Sequence, residues 1–81
     1  MKIKIKKNID LKGAEKFSNI LNGFTGDINL RSGEYCIDGK SMMGVLAVVY
    51  CAKEDIYLDA AELDDREMVM LCDKIEEFIE D

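Results

Sequence analysis

Lysine and isoleucine alternate from Met1 to Lys6, a period of two that puts Ile3 and Ile5 on one side and Lys4 and Lys6 on the other. The chain is therefore predicted to open with a strand that buries one face. Asn8 to Lys12 breaks the alternation, after which Ala14, Phe17, Ile20 and Leu21 recur at steps of three and four and predict a helix from about Gly13 to Asn22. Asn22-Gly23 is expected to stop it, with Gly23 in the left-handed C-cap conformation. Alternation returns from Phe24 to Arg31 with Phe24, Ile28 and Leu30 inward, Ser32-Gly33 makes a turn, and Tyr35 and Ile37 give a short partner strand, which together read as a hairpin. Asp38-Gly39-Lys40 closes that arm. Ser41 is the expected N-cap of a second helix in which Met42, Val45, Leu46 and Val49 share one side. Glu54 to Ala60 alternates again with Ile56 and Leu58 inward. The last helix is predicted to start at Asp64, with Glu67 completing a capping box, and to bury Met68, Leu71, Cys72, Ile75, Phe78 and Ile79.

The order is strand, helix, strand, strand, helix, strand, helix. Alternating strands hide only one side, so all the helices must cover the same sheet face, and the fold class expected is α+β, a two-layer sandwich whose other sheet face is open. Eighty-one residues have room for one small core, and residues 1–81 are read as a single domain with no linker, repeat or low-complexity segment.

Composition narrows the chemistry. The chain has no histidine, which removes the imidazole base, the Ser-His and Cys-His pairs, histidine metal ligation and phosphohistidine. Residues 1–53 carry nine Lys/Arg against five Asp/Glu, and residues 54–81 carry two against twelve. A domain this acidic repels the phosphate backbone, so no direct nucleic-acid partner is expected, and Lys2, Lys4, Lys6 and Lys7 read as the solvated face of a strand. The acidic final segment reads first as a solvated helix face and second as a surface for a basic partner. Cys36, Cys51 and Cys72 have spacings that fit neither a zinc knuckle nor a disulfide framework, and are expected to be core or half-buried free thiols. With no apolar run of spanning length and no signal-peptide core, a cytoplasmic location without membrane attachment is expected. Gly39-Lys40-Ser41 lacks the upstream glycine of a phosphate-binding loop. Neither a cofactor nor a metal is expected, and no catalytic residue: the chain is not read as an enzyme.

Lys40-Ser41-Met42-Met43-Gly44-Val45-Leu46, taken with the order of elements, resembles the phosphocarrier protein HPr of the sugar phosphotransferase system (PTS) over nearly the whole chain. In that family a Lys-Ser-aliphatic-Met-Gly-Val-type segment opens the second helix. Gly23-Phe24-Thr25 and Phe17 also sit at spacings similar to the family's. The resemblance implies the HPr fold, a four-stranded antiparallel sheet covered on one face by three helices in the order βαββαβα. It also implies that Ser41 occupies the position of the serine phosphorylated by an ATP-dependent regulatory kinase. The family's other hallmark, Gly-Leu-His-(Ser/Thr)-Arg-Pro-(Ala/Ser), is replaced. With Phe17 in register, Asp10 falls where the phosphorylated histidine stands, Lys12 where the arginine stands and Gly13 where the proline stands.

These residues define the candidates. Asp10 reads as a helix cap, as a fixed charge mimicking a phosphorylated carrier or, least, as a phosphoryl acceptor in its own right. Lys12 keeps the charge of arginine without its planar fork. Ser41 caps its helix, and a phosphate on it would lie against unpaired amides and close to Lys40, opposed by Glu34 and Asp38 if these are near. By resemblance, the first and second helices form the docking surface for partner proteins, which places Leu11, Lys12, Glu15, Met42, Met43 and Leu46 there; Met42 and Met43 are adjacent, so at least one is expected to be exposed. The reading is an HPr-like regulatory or binding module of the PTS that cannot carry phosphohistidine and is regulated at Ser41, or an HPr-fold interaction domain without phosphorylation. The partners implied by resemblance are an HPr serine kinase/phosphorylase, a LacI-type catabolite control protein or other PTS components.

Overall fold

A computed structural model describes residues 3–80. Its elements in chain order are β1 (Ile3–Ile5), α1 (Leu11–Leu21), β2 (Asn29–Ser32), β3 (Tyr35–Asp38), α2 (Met42–Cys51), β4 (Ile56–Asp59) and α3 (Asp65–Lys74), followed by a 3-10 turn (Glu76–Phe78). The Met1-Lys2 part of the expected first strand lies outside the described residues. The strands form one antiparallel sheet in the order β1-β4-β2-β3. The register sets Ile3 opposite Leu58, and Leu30 opposite both Leu58 and Ile37. Every second side chain then faces the helices: Ile3, Ile5, Leu30, Ile56 and Leu58 are buried, while Lys4, Arg31, Tyr57 and Asp59 occupy the alternate positions. The open-faced α+β sandwich is the fold found.

Helix α1 supplies Ala14, Phe17 and Leu21 to the core, α2 supplies Val45, Val48 and Val49, and α3 supplies Leu71. Phe17 meets Phe78 edge to face, with ring centroids 5.3 Å apart. That contact ties the last turn to α1 through a side chain whose full burial contributes about 1.5–3 kcal/mol. Beyond it Ile79 bridges to Ile5, and Lys6 N–H donates to the Phe78 carbonyl at 2.8 Å, so the chain end covers part of the outer edge of β1.

Several boundaries differ from those the pattern predicts, each for a physical reason. Helix α1 begins at Leu11 rather than Gly13, because Asp10 caps it. Gly23 is not left-handed. Among the described residues only Gly33 has positive φ, at 57°, and α1 ends instead on Asn22, whose side-chain amide donates to the Ser18 carbonyl at 2.8 Å and to the Lys40 carbonyl at 2.9 Å. Phe24 and Ile28 are buried as expected, but from a loop, and β2 starts at Asn29. The hairpin turn is Gly33-Glu34, since Ser32 pairs with Tyr35, and a Cβ on Gly33 would stand 2.1 Å from Glu54 Oε2. The thiols depart furthest from expectation: Cys36 and Cys51 are exposed and only Cys72 is half-buried. Cys36 lies on edge strand β3 opposite Arg31, and Cys51 ends α2, so neither position reaches the core. On α3, Met68 and Cys72 are half-buried rather than buried, because the core side of that helix runs through Leu71 alone.

Candidate functional site

Two helix starts hold the residues of interest, and both are built the same way. At α1, Asp10 is extended (φ −87°, ψ −176°) and its Oδ1 accepts from Gly13 N–H at 2.8 Å. At α2, Ser41 is extended (φ −98°, ψ 117°) and its Oγ accepts from Gly44 N–H at 3.2 Å. Each is the side-chain cap that helix termini require, worth about 0.5–2 kcal/mol. Gly13 contributes the donor that proline in the same place would lack. Gly44 is there for a different reason. A Cβ on it would fall 2.6 Å from Ile37 Cγ2 and 3.2 Å from the Asp38 carbonyl, so glycine lets the first turn of α2 lie against β3.

The surroundings of the two caps differ. Asp10 is exposed, with exposed Lys12 one turn position away and Leu11 57% exposed beside it. Ser41 is half-buried, and its neighbours are already engaged. The Lys40 ammonium donates to the Phe24 carbonyl at 2.5 Å, the Asp38 carboxylate accepts from Lys40 N–H at 2.9 Å, and Ser41 N–H donates to the Asp38 carbonyl at 3.2 Å. Asp38 therefore is the nearby acid that the sequence raised. Glu34 is not: it sits in the turn at the far end of β3.

The docking residues fall into two groups rather than one patch. Asn22 bonds Lys40, so the end of α1 meets the start of α2. This leaves Leu11 about 15 Å away at the other end of α1, at 1.5 Å of rise per residue, with Lys12 beside it and Glu15 nearer the middle of the helix. Met43 is the exposed member of the methionine pair at 69%, while Met42 and Leu46 are half-buried against the core. A shallow depression lined by Lys12, Glu15, Lys16, Asn19 and Ile20 runs along α1 between the groups. Lys16, Asn19 and Ile20 went unremarked as surface residues in the sequence, although the helical spacing 12, 15/16, 19 from Lys12 marks them. Lys16 also pairs with Glu77 at 3.1 Å, tying this face to the last turn.

Away from these helices, the Arg31 guanidinium and the Asp59 carboxylate pair at 2.6 Å on the open sheet face. The hydrogen bond from Arg31 holds the Asp59 carboxyl below its ordinary range and raises Arg31. Burial, followed by the charge of Asp73, pushes the Cys72 thiol up. Among the described residues no cluster of three or more potential metal ligands exists, and no helix is long and apolar enough to cross a membrane.

A four-stranded antiparallel sheet in this order, covered on one face by three helices, defines an open-faced α+β domain. Residues 1–81 match the family model described as "PTS HPr component phosphorylation site", and the chain belongs to the PTS HPr family. No curated protein and no solved structure matches it. The family comprises phosphocarriers rather than enzymes, works with other components of the phosphotransferase system, and gives the chain a role related to phosphocarriage.

Proposed function

We propose that this HPr domain serves as a regulatory or binding module of the phosphotransferase system, switched at Ser41, and not as a phosphohistidine carrier. The observation that carries the reading is the contrast at the two family positions. The carrier position holds Asp10, already bonded to Gly13 N–H at 2.8 Å, in a chain without histidine. The serine position keeps its hydroxyl at a helix N-terminus, where added phosphate meets unpaired amides. Phosphorylation replaces a neutral cap by a dianion beside Met43 and above the α1–α2 junction. The docking face proposed is Leu11, Lys12, Glu15, Met42, Met43 and Leu46, joined along α1 by Lys16, Asn19 and Ile20. Its partners are read through the family as a serine kinase/phosphorylase and a LacI-type catabolite control protein.

One observation favours a second reading, docking without phosphorylation: Lys40 is engaged by Phe24, and Asp38 stands beside Ser41. Both reduce the positive field that a phosphate would find. Incubation with ATP and a bacterial HPr serine kinase, followed by intact mass, separates the two. A single added phosphate that is lost in Ser41→Ala supports the switch. No added mass on the native chain, with a control HPr labelled in parallel, leaves Ser41 as a cap and the face as a phosphate-independent docking surface.

A further inference from the structure

A second surface, independent of the two helix starts, lies between the end of β4 and α3. A cleft of about 760 Å³ runs there, lined by Leu58, Ala60, Met68 and Cys72, with Val69 at its lip. Asp59, Asp65 and Asp73 complete its wall. Helix α3 turns one face, Leu71, to the core and a second apolar stripe, Met68, Val69 and Cys72, to this cleft. Met68 and Cys72 are half-buried against the core and form an apolar floor, while Val69 is 63% exposed and left without a packing partner in the core.

The charge on the wall is also unexplained by the fold. Asp59 is matched by Arg31, but among the described residues Asp65 and Asp73 make no ion pair. Asp65 is favourable at the start of α3, whereas Asp73 lies in the last turn, where the helix macrodipole opposes negative charge and stability is lost, not gained. Lys74, next along the helix, is over the Phe24 ring at 5.8 Å from its centroid and supplies no countercharge. Residues 54–81, which build this cleft, carry twelve acids against two bases.

We infer that the cleft between β4 and α3 is a docking site for a basic segment of a partner protein, one with lysine or arginine flanking an apolar anchor side chain. The apolar strip takes the anchor, with Met68 adapting to its shape. Asp65 and Asp73 receive the flanking cations, and the surrounding negative field steers the segment in. Nucleic acid and anionic membranes are repelled by the same field.

The test uses the full-length chain, 15N-labelled, titrated with a short Lys/Leu amphipathic peptide and with its Glu/Leu counterpart. Amide shifts are expected at residues 58–61 and 65–73 with the basic peptide and not with the acidic one, weakening as salt is raised. Asp65→Asn with Asp73→Asn, whose side chains make no ion pair among the described residues, is expected to weaken binding about three- to tenfold, as two exposed ion pairs allow. Val69→Ser is expected to weaken it without changing the salt dependence. Ser41→Ala is expected to leave it unchanged, which keeps this site separate from the switch. Shifts confined to α1 and α2, equal binding of the acidic peptide, or no binding at millimolar peptide overturn the proposal. Sedimentation showing a dimer that Val69→Glu dissociates overturns it as well, by assigning the cleft to a second copy of the chain.

Discussion

Asp10 and Ser41 sit at the starts of neighbouring helices, each accepting a hydrogen bond from a glycine N–H three residues on, at 2.8 and 3.2 Å. Yet one cap is a carboxyl group and the other a hydroxyl. The first terminus is solvent-exposed, its glycine is the donor that makes the cap possible, and a carboxylate there complements the helix dipole. The second is half-buried, its glycine is held by the close approach of Ile37, and its cap is neutral. The same local geometry thus accepts either a carboxylate or a hydroxyl as the cap. What separates the two is the chemistry of one side chain and the packing around its partner glycine.

The largest expected effect is on phosphoryl transfer. Enzyme I and phosphoenolpyruvate are expected to leave the native chain unlabelled, and Asp10→His combined with Lys12→Arg and Gly13→Pro is expected to accept label, read by acid-labile phosphate and intact mass. Labelling of native protein that is lost in Asp10→Asn would assign the acceptor role to Asp10 and break the contrast.

Next comes the glycine pair. Gly44→Ala forces a Cβ to within 2.6 Å of Ile37 Cγ2, an overpacking that typically costs about 1–3 kcal/mol, offset by up to about 1 kcal/mol of helix propensity. Gly13→Ala meets Ile9 Cγ2 only at 3.0 Å and the flexible Asp10 Oδ1 at 3.1 Å, and is expected to be within about 0.5 kcal/mol of native on the same balance. Urea denaturation of both variants measures the difference.

The caps themselves rank below that. Asp10→Ala and Ser41→Ala each remove one cap bond, about 1 kcal/mol, and Asp10→Ala loses in addition roughly 0.3–1 kcal/mol of charge–dipole interaction. Adding salt should shrink the extra loss at Asp10 and leave that at Ser41 unchanged.

The smallest effect is a pH signature on the open sheet face. Asp59 is held below its ordinary range by Arg31, so the folded state binds its proton less readily than the unfolded chain. Its contribution is present above the unfolded value of about 3.9 and is lost as pH falls through the folded value. Carboxyl NMR titration should find the Asp59 midpoint low in the native chain and back near the ordinary value in Arg31→Ala. No such return would assign the shift to another cause.

Much of this was legible in the chain. The Lys/Ile alternation at residues 2–6, the 3.6 period through Phe17 and the Asp64–Glu67 box are local signals, and the capping box is present as read, with Glu67 N–H donating to Asp64 at 2.8 Å. The motif around Ser41 carried the family, and the family model covers the same chain. Asp10 reads as a cap candidate, yet the predicted helix begins two residues late, because Leu11-Lys12 has no apolar period of its own. The left-handed Gly23 failed because Asn22 found a partner in Lys40, eighteen residues away. The thiols differ from expectation because residue type alone does not say that Cys36 lies on an edge strand or that Cys51 ends a helix.

The sequence by itself determined the order of elements, the caps of α2 and α3, the absence of histidine and the acidity of residues 54–81, since each depends on residues within a few positions of one another or on composition alone. Only the tertiary structure decided that β4 lies between β1 and β2, that the end of α1 meets the start of α2, and that α3 leaves an apolar stripe facing an acidic cleft. Those depend on which distant segments pair and pack, and strand pairing and side-chain contacts between elements are properties of the closed chain that no local window contains.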